Sequence, residues 1–469
     1  MACSMWFGLA LLLLCPQDKP KQDPRATGVL TPAEQQSLAK KAANWLEASI
    51  ELEEETRTQN RERLRTKETQ AREAFLKEWD SREKAKGSLL KHLADVRAIF
   101  ATALPFKASS FTGEIKLIQG RKAEEPSYGI VVPKTYRATE PMRCLVSIPS
   151  WNPERKAWAA PADHFTETWK GSELAGDTIF VLPSLAKDLE FETIENVLKD
   201  ADTELERRRI AAVFSVWGAV HREMRLNLDR LILDAGRGSS AFAVRLATYF
   251  PSRFAGLVLR WPADPGQLRL ENLTGLPVLL VANAETKANA DKLAAKLNEL
   301  QPGSATVLEG KGAYPYAESK AEIAAWAKGV QRDLFRAKVT LAPNSNLFKR
   351  GYWVAIGRSE AIDLPDPNRR PFLQVEADRE KNRIQVTARG VSDFTVLLND
   401  SIVDLDKPVT FVVNGQAREE KLGRDLRSMI REIVKVRDAT LLYCSSFGMV
   451  VPQQAAENDK KDGGGESAR

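Results

Sequence analysis

The rhythm of apolar and polar positions changes twice along this chain, and each change marks a different architecture. Thr31-Pro32-Ala33-Glu34 predicts a helix start, with Thr31 as N-cap, Pro32 in the first turn and Glu34 closing a capping box. From there to about Phe100 the pattern is helical. Glu53 to Gln70 is nearly all charged or polar, and apolar residues return at helical spacing from Phe75 and Trp79 to Val96, Ile99 and Phe100. Gly87-Ser88 predicts a bend, and hence a hairpin of two long helices. No a/d seam is sustained, so a structural arm is expected rather than a partner-binding coiled coil.

From Ser127 onward short apolar runs alternate with helical stretches. Tyr128–Pro133, Cys144–Pro149, Thr178–Pro183, Leu231–Asp234, Gly256–Leu259, Val278–Val281 and Ala305–Glu309 read as strands. Helices are expected over about Glu190–Arg225, Ser240–Tyr249, Lys287–Leu300 and Ala317–Arg336. Strands that are apolar on both faces and alternate with helices predict a mostly parallel sheet covered on both sides. Beyond Lys338 short strand-like runs return at Tyr352–Ile356, Ile384–Ala388 and Val409–Val413, the last followed by the hairpin dipeptide Asn414-Gly415. One helix is expected near Asp425–Val436, and the Gly-rich tail 454–469 is expected to be disordered. The resulting division is a signal segment (1–16), a linker (17–30), a helical arm (31–103), an α/β domain (104–335) and a small β-rich domain (336–453).

Composition refines this modestly. Hydrophobic residues make up 43% and charged residues 28% of 469, as in a globular protein, and the net charge of +6 is dispersed. Without a clustered basic patch, nucleic acid is not expected as a partner. Gly8-Leu9-Ala10-Leu11-Leu12-Leu13-Leu14 is too short to span a bilayer and has the length of a signal-peptide core, which predicts export. Leu14 is too large for a lipoprotein box, so cleavage is expected rather than a lipid anchor at Cys15. Of the remaining cysteines, Cys144 and Cys444, two buried thiols are expected in preference to a bridge, and no Cys/His spacing suggests zinc or another cofactor.

The informative stretch is Asp229-Arg230-Leu231-Ile232-Leu233-Asp234-Ala235-Gly236-Arg237-Gly238-Ser239-Ser240, continued by Tyr249-Phe250-Pro251-Ser252-Arg253-Phe254-Ala255. It resembles the nucleophile elbow of the α/β-hydrolase family, in particular secreted bacterial esterases of the phospholipase/carboxylesterase and feruloyl-esterase type. There a G-x-S-x-G turn joins a strand to a helix. The resemblance covers roughly residues 127–335 and implies that fold. It also locates the catalytic positions, and each has lost its residue: Gly238 stands at the nucleophile, Thr286 or Glu285 at the acid, and Ala313 at the base. The family's His-Gly oxyanion segment is replaced by Pro149-Ser150-Trp151. None of the three histidines (His92, His164, His221) follows the elbow, where the family's order requires the base. His164 and His221 are expected to be surface or capping residues. Ser239 and Ser240 are the alternative nucleophiles, Ser239 falling one residue late.

The glycines at 236 and 238 could cradle an anion at the helix start, but preserving the tight turn already explains them. Trp151, Trp158, Trp169, Trp217 and Trp261 are read first as core, with a pocket above the elbow for a small-molecule or envelope ligand as the functional reading. Two functions follow: a catalytically degenerate, exported binding or structural protein of the cell envelope, or an esterase or peptidase using Ser239 or Ser240.

Overall fold

A computed structural model describes residues 28–104, 106–120, 126–189, 191, 202–264 and 266–452. The expected signal segment, linker residues 17–27, residues 192–201 of the helix expected from Glu190, and the tail lie outside the described residues. Among the described residues, no helix is long and apolar enough to cross a membrane.

The N-terminal region forms α1 (Pro32–Glu54), α2 (Thr58–Lys86) and α3 (Leu93–Ala103). The capping box is present: Glu34 N donates to Thr31 Oγ1 (3.3 Å) and Thr31 N to Glu34 Oε2 (2.8 Å). Gly87 (φ +83°) ends α2, but the chain has a second break at residues 55–57 that the sequence pattern does not announce. No glycine or proline makes it. The Glu55 carboxylate does, accepting from Arg57 N (2.8 Å) and Asn60 Nδ2 (3.0 Å). The hairpin is therefore α1 against α2, zipped by Trp45 Nε1 donating to Glu68 (2.7 Å) and by Lys41–Glu78 (2.6 Å) and Arg82–Glu34 (3.0 Å) ion pairs.

The central sheet contains β1 (Ile115–Ile118), β2 (Tyr128–Val131), β3 (Met142–Ile148), β6 (Thr178–Pro183), β7 (Leu226–Ala235), β8 (Gly256–Arg260), β9 (Val278–Ala282) and β10 (Ala305–Glu309). A separate two-stranded ribbon, β4 (Trp151–Asn152) and β5 (Ala157–Trp158), follows β3. The strand order is β1-β2-β6-β3-β7-β8-β9-β10; β1 and β2 are antiparallel and the remaining six parallel. One face packs on α5 (Glu204–Glu223), α6 (Ser240–Tyr249) and α7 (Lys287–Leu300), the other on α4 (Pro161–Thr168) and α8 (Lys320–Gly329). Cys144, Val146, Leu231 and Leu233 face the first layer, Leu145 and Ile232 the second, so strand residues alternate between two apolar covers. Cys144 and Cys444 are buried free thiols, and burial pushes both upward, Cys444 to about 12.

The C-terminal region has a five-stranded sheet, β11 (Lys338–Leu341), β14 (Phe372–Asp378), β15 (Arg383–Arg389), β17 (Val409–Val413) and β18 (Gln416–Glu420). A four-stranded sheet holds β12 (Arg350–Gly351), β13 (Val354–Ile356), β16 (Asp393–Leu398) and β19 (Ser445–Val450). Asn414 and Gly415 turn the β17–β18 hairpin with φ +48° and +86°. Asp425 caps α9 (Leu426–Val436) through bonds to the backbone of Arg427 and Ser428. The helical arm is not a free projection. Trp45, Phe75, Trp79 and Phe100 share one core with Trp353, Phe411 and Met429.

The helix expected over Ala317–Arg336 stops at Gly329. The reason is Arg332. Its backbone N–H bonds Asp229 O (2.8 Å), and its guanidinium is 2% exposed and bonds Asp229 Oδ1 (2.9 Å), Asp438 Oδ2 (3.1 Å) and Thr440 Oγ1 (2.8 Å). This buried fork ties the central sheet to the C-terminal region. Removing one member of such a group strands the others without charge compensation, at a cost of about 3–5 kcal/mol. Arg332→Met is therefore expected to lower unfolding free energy by about 3–5 kcal/mol in urea titrations; a loss under about 1 kcal/mol, the level of an exposed pair, would contradict the clamp.

Candidate functional site at the strand-to-helix elbow

Strands β3 and β7 are neighbours, but their connections leave in opposite directions, β3 toward β6 and β7 toward β8. The crevice between their carboxyl ends is where open α/β sheets bind ligands. The elbow Gly236-Arg237-Gly238-Ser239 lies there, directly between β7 and α6. Sheet, covering helices and elbow together give an α/β-hydrolase-type domain.

At the apex, Gly238 has φ +83°, the strained region in which an elbow holds its nucleophile. The missing hydroxyl is not the whole loss. A Cβ built on Gly238 would lie 2.5 Å from Trp151 Cβ and 3.3 Å from Trp158 Cη2. Trp151 and Trp158 come from the β4–β5 ribbon and meet edge to face at 5.2 Å. Trp151 N donates to Arg237 O (2.8 Å), strapping the ribbon onto the elbow. The ribbon after β3 is thus folded down over the apex.

The remaining backbone donor is also engaged. In the family's geometry the oxyanion accepts from the N–H that follows the nucleophile. Here that is Ser239 N, which bonds Gly236 O (3.0 Å). Ser239 is fully buried, and its hydroxyl turns back on the elbow, accepting from Gly236 N (3.2 Å) and donating to Gly236 O (3.3 Å). Ser240 Oγ donates to Trp261 O (3.0 Å) and accepts from Ala263 N (3.1 Å). Neither hydroxyl touches an imidazole or carboxylate.

The other positions that the resemblance pointed to do not converge on the elbow. Thr286 is buried, and its hydroxyl bonds Asn283 Oδ1 (3.1 Å) to hold the turn into α7, while Glu285 is exposed. Ala313 is exposed and gives only its carbonyl, to Tyr316 N (2.8 Å). Its neighbour Tyr314 is the residue that reaches the elbow. The Tyr314 hydroxyl accepts from Arg237 N (2.9 Å), is hydrogen-bonded to Ser150 Oγ, and fills the space a side chain at 236 would need. Arg237 lies over the rings of Trp261 (3.9 Å) and Tyr314 (5.0 Å), a cation stacked on two aromatic faces.

Beneath the elbow is a network that the sequence reading missed. His164 is 2% exposed, not a surface or capping residue, and its Nε2 lies 2.8 Å from Ser147 Oγ. Ser147 Oγ donates to Asp234 Oδ2 (2.5 Å), Trp169 Nε1 donates to Ser147 Oγ (3.1 Å), and Arg260 Nε donates to Asp234 Oδ1 (3.0 Å). Ser, His and Asp are together, yet the proton bookkeeping is the reverse of a triad. The single Ser147 proton goes to Asp234, so His164 must present Nε2–H to the hydroxyl as a donor. A general base must accept that proton instead. Burial holds His164 neutral, at about 4 against an ordinary 6.5. The signal available in sequence was Asp234 and Arg260, two charges at the ends of apolar strands that need buried partners. His221 is likewise buried, stacked on Trp217 (5.1 Å) with Nε2 donating to Arg437 O (3.1 Å), and desolvation lowers it to about 4. Among the described residues no group of His, Cys, Asp and Glu could hold a metal ion.

No family model matches the chain, and no curated protein matches it. Solved structures similar to it include a thermostable esterase (11% identity, TM-score 0.37), the match covering 47% of this chain and 64% of that one. The apoenzyme of S-formylglutathione hydrolase FrmB from Staphylococcus aureus is 11% identical, TM-score 0.34, covering 48% of this chain and 99% of that one. A Bacillus cereus carboxylesterase is 15% identical, TM-score 0.30, covering 43% and 93%.

Gly238→Ser is expected to cost about 2–5 kcal/mol, from the positive φ and from overpacking. Because the obstructing atom is the Trp151 Cβ, Trp151→Gly should relieve part of that cost in a double-mutant cycle, while Trp151→Ala should not. A Gly238→Ser protein as stable as the parent would refute the closure. The buried imidazoles make a second prediction. An unfolded histidine takes up a proton below about pH 6.5, whereas the folded His164 and His221 resist until about 4. Their contribution is present above pH 6.5 and is lost as pH falls toward 4, with a limiting slope of about 2.7 kcal/mol per pH unit. His164→Gln should roughly halve that slope; stability flat from pH 6.5 to 5 in the parent would contradict it.

Proposed function

We propose that this chain is a catalytically silent α/β-hydrolase-type protein, exported, with a binding or structural role in the cell envelope. The observation that carries the reading is Trp151, whose Cβ occupies the approach to the apex that a nucleophile's side chain requires. Four further features support it: Gly238 has no side chain, Ser239 and Ser240 bond backbone groups, Thr286 and Ala313 serve local turns, and Tyr314 sits on the elbow where an open crevice would be. An elbow so sealed keeps its value as a rigid centre for the sheet. Arg237, stacked on Trp261 and Tyr314 at the rim, is the elbow group best suited to meet an anionic or aromatic envelope ligand. The apolar run before Cys15 supports export.

Hydrolysis of p-nitrophenyl acetate and butyrate tests the silent elbow. The purified chain should match Ser239→Ala and Ser240→Ala at the level of a non-enzymatic protein. Turnover that disappears in either variant would establish the alternative, an esterase or peptidase working through that serine. Mass spectrometry of the mature N-terminus tests export: a start beyond the apolar run is expected, and an intact Met1 would contradict it.

A further inference from the structure

At the opposite end of β7 from the elbow lies a cavity of about 340 Å³ where the three regions of the chain meet. Its walls come from α3, from the start of β7, and from the segment after α9. The volume falls within the range of small-molecule pockets, and interfaces between regions are a usual place for them.

The start of β7 is built unusually. Arg143 of β3 pairs with Asn227, but Cys144 pairs with Leu231, so residues 228–230 bulge out of the ladder and toward the cavity. Such bulges re-aim side chains, and they are over-represented beside sites. This one contributes Leu228, Asp229 and Arg230. Asp229 is held by Arg332, as is Asp438 on the facing segment, so neither carboxylate is free to neutralise the rim.

The rim carries four arginines. Arg225 bonds the carbonyls of Ala101 (2.6 Å) and Thr139 (2.8 Å), and Arg437 pairs with Glu54. Arg97, from α3, and Arg230, from the β7 bulge, line the same cavity, and among the described residues neither has a hydrogen-bonding or ion-pair partner. Apolar side chains share the lining with these groups: Ala101, Leu104, Phe106, Leu228 and Ala439.

We propose that this junction cavity binds a small amphipathic anion, a short acyl or aryl group seated on the apolar floor with a carboxylate or phosphate between Arg97 and Arg230. An unpaired guanidinium is a fork suited to either head, and the floor selects against a bare ion. The inference is independent of the elbow and does not rest on its being silent.

Isothermal titration of the full chain with octyl phosphate, octanoate, octanol and inorganic phosphate tests it. One molar equivalent of octyl phosphate or octanoate should bind, and the tighter of the two identifies the head group. Octanol and inorganic phosphate should each bind at least about tenfold more weakly, since each lacks one half of the recognition. Arg97→Gln with Arg230→Gln should weaken the preferred anion at least about tenfold with an unchanged melting curve. Ala439→Trp, which fills the floor, should abolish binding. Absence of saturable binding by both amphiphiles, or affinity unchanged in either folded variant, overturns the proposal.

Discussion

The constraint on which the domain turns is the backbone at Gly238. A strand running out of the centre of a parallel sheet must reverse into a covering helix within four residues, and the chain does so through a single positive-φ position. In an active elbow that strain holds a nucleophile forward, over free backbone donors. Here the turn is present with its neighbouring groups turned to packing and local bonds. Trp151 packs on the apex, Ser239 N–H closes the turn, and Tyr314 bonds both Arg237 N and Ser150. The strain is carried by the one residue type that bears it at least cost.

The layer beneath explains why the turn is rigid. Asp234 and Ser147 lie side by side in register on β7 and β3, and they are satisfied from two other elements, by His164 and Trp169 of α4 and its C-cap and by Arg260 of β8. A carboxylate buried at this depth requires such a set of donors. At the far end of β7 the Arg332 fork does comparable work, linking the sheet to the region that shares its core with the N-terminal helices. β7 is thus anchored at both ends by buried charge, and the bulge that positions Asp229 also lines the junction cavity.

The alternation of apolar runs and helices made the sheet legible in advance, because the central strands β3, β6, β8 and β9 are covered on both faces and their runs are nearly free of polar residues. The elbow was legible because glycines at 236 and 238 answer a backbone demand. What escaped was set by distant partners. The break at residues 55–57 comes from a glutamate folding back on its own turn, which looks like any other charge in a polar helix. His164 and His221 read as surface residues because their helices are amphipathic and their partners, Ser147 and Arg437, are remote in sequence. Trp151 read as one aromatic among several; only the ribbon's return onto Arg237 O makes it a plug.

The proposed silence of the elbow requires that neither Ser239 nor Ser240 act as a nucleophile. Intact-protein mass spectrometry after exposure to excess fluorophosphonate addresses it without assuming a substrate. An unchanged mass is expected for the native chain. A stoichiometric adduct mapped by peptide digestion to Ser239 or Ser240 would contradict it.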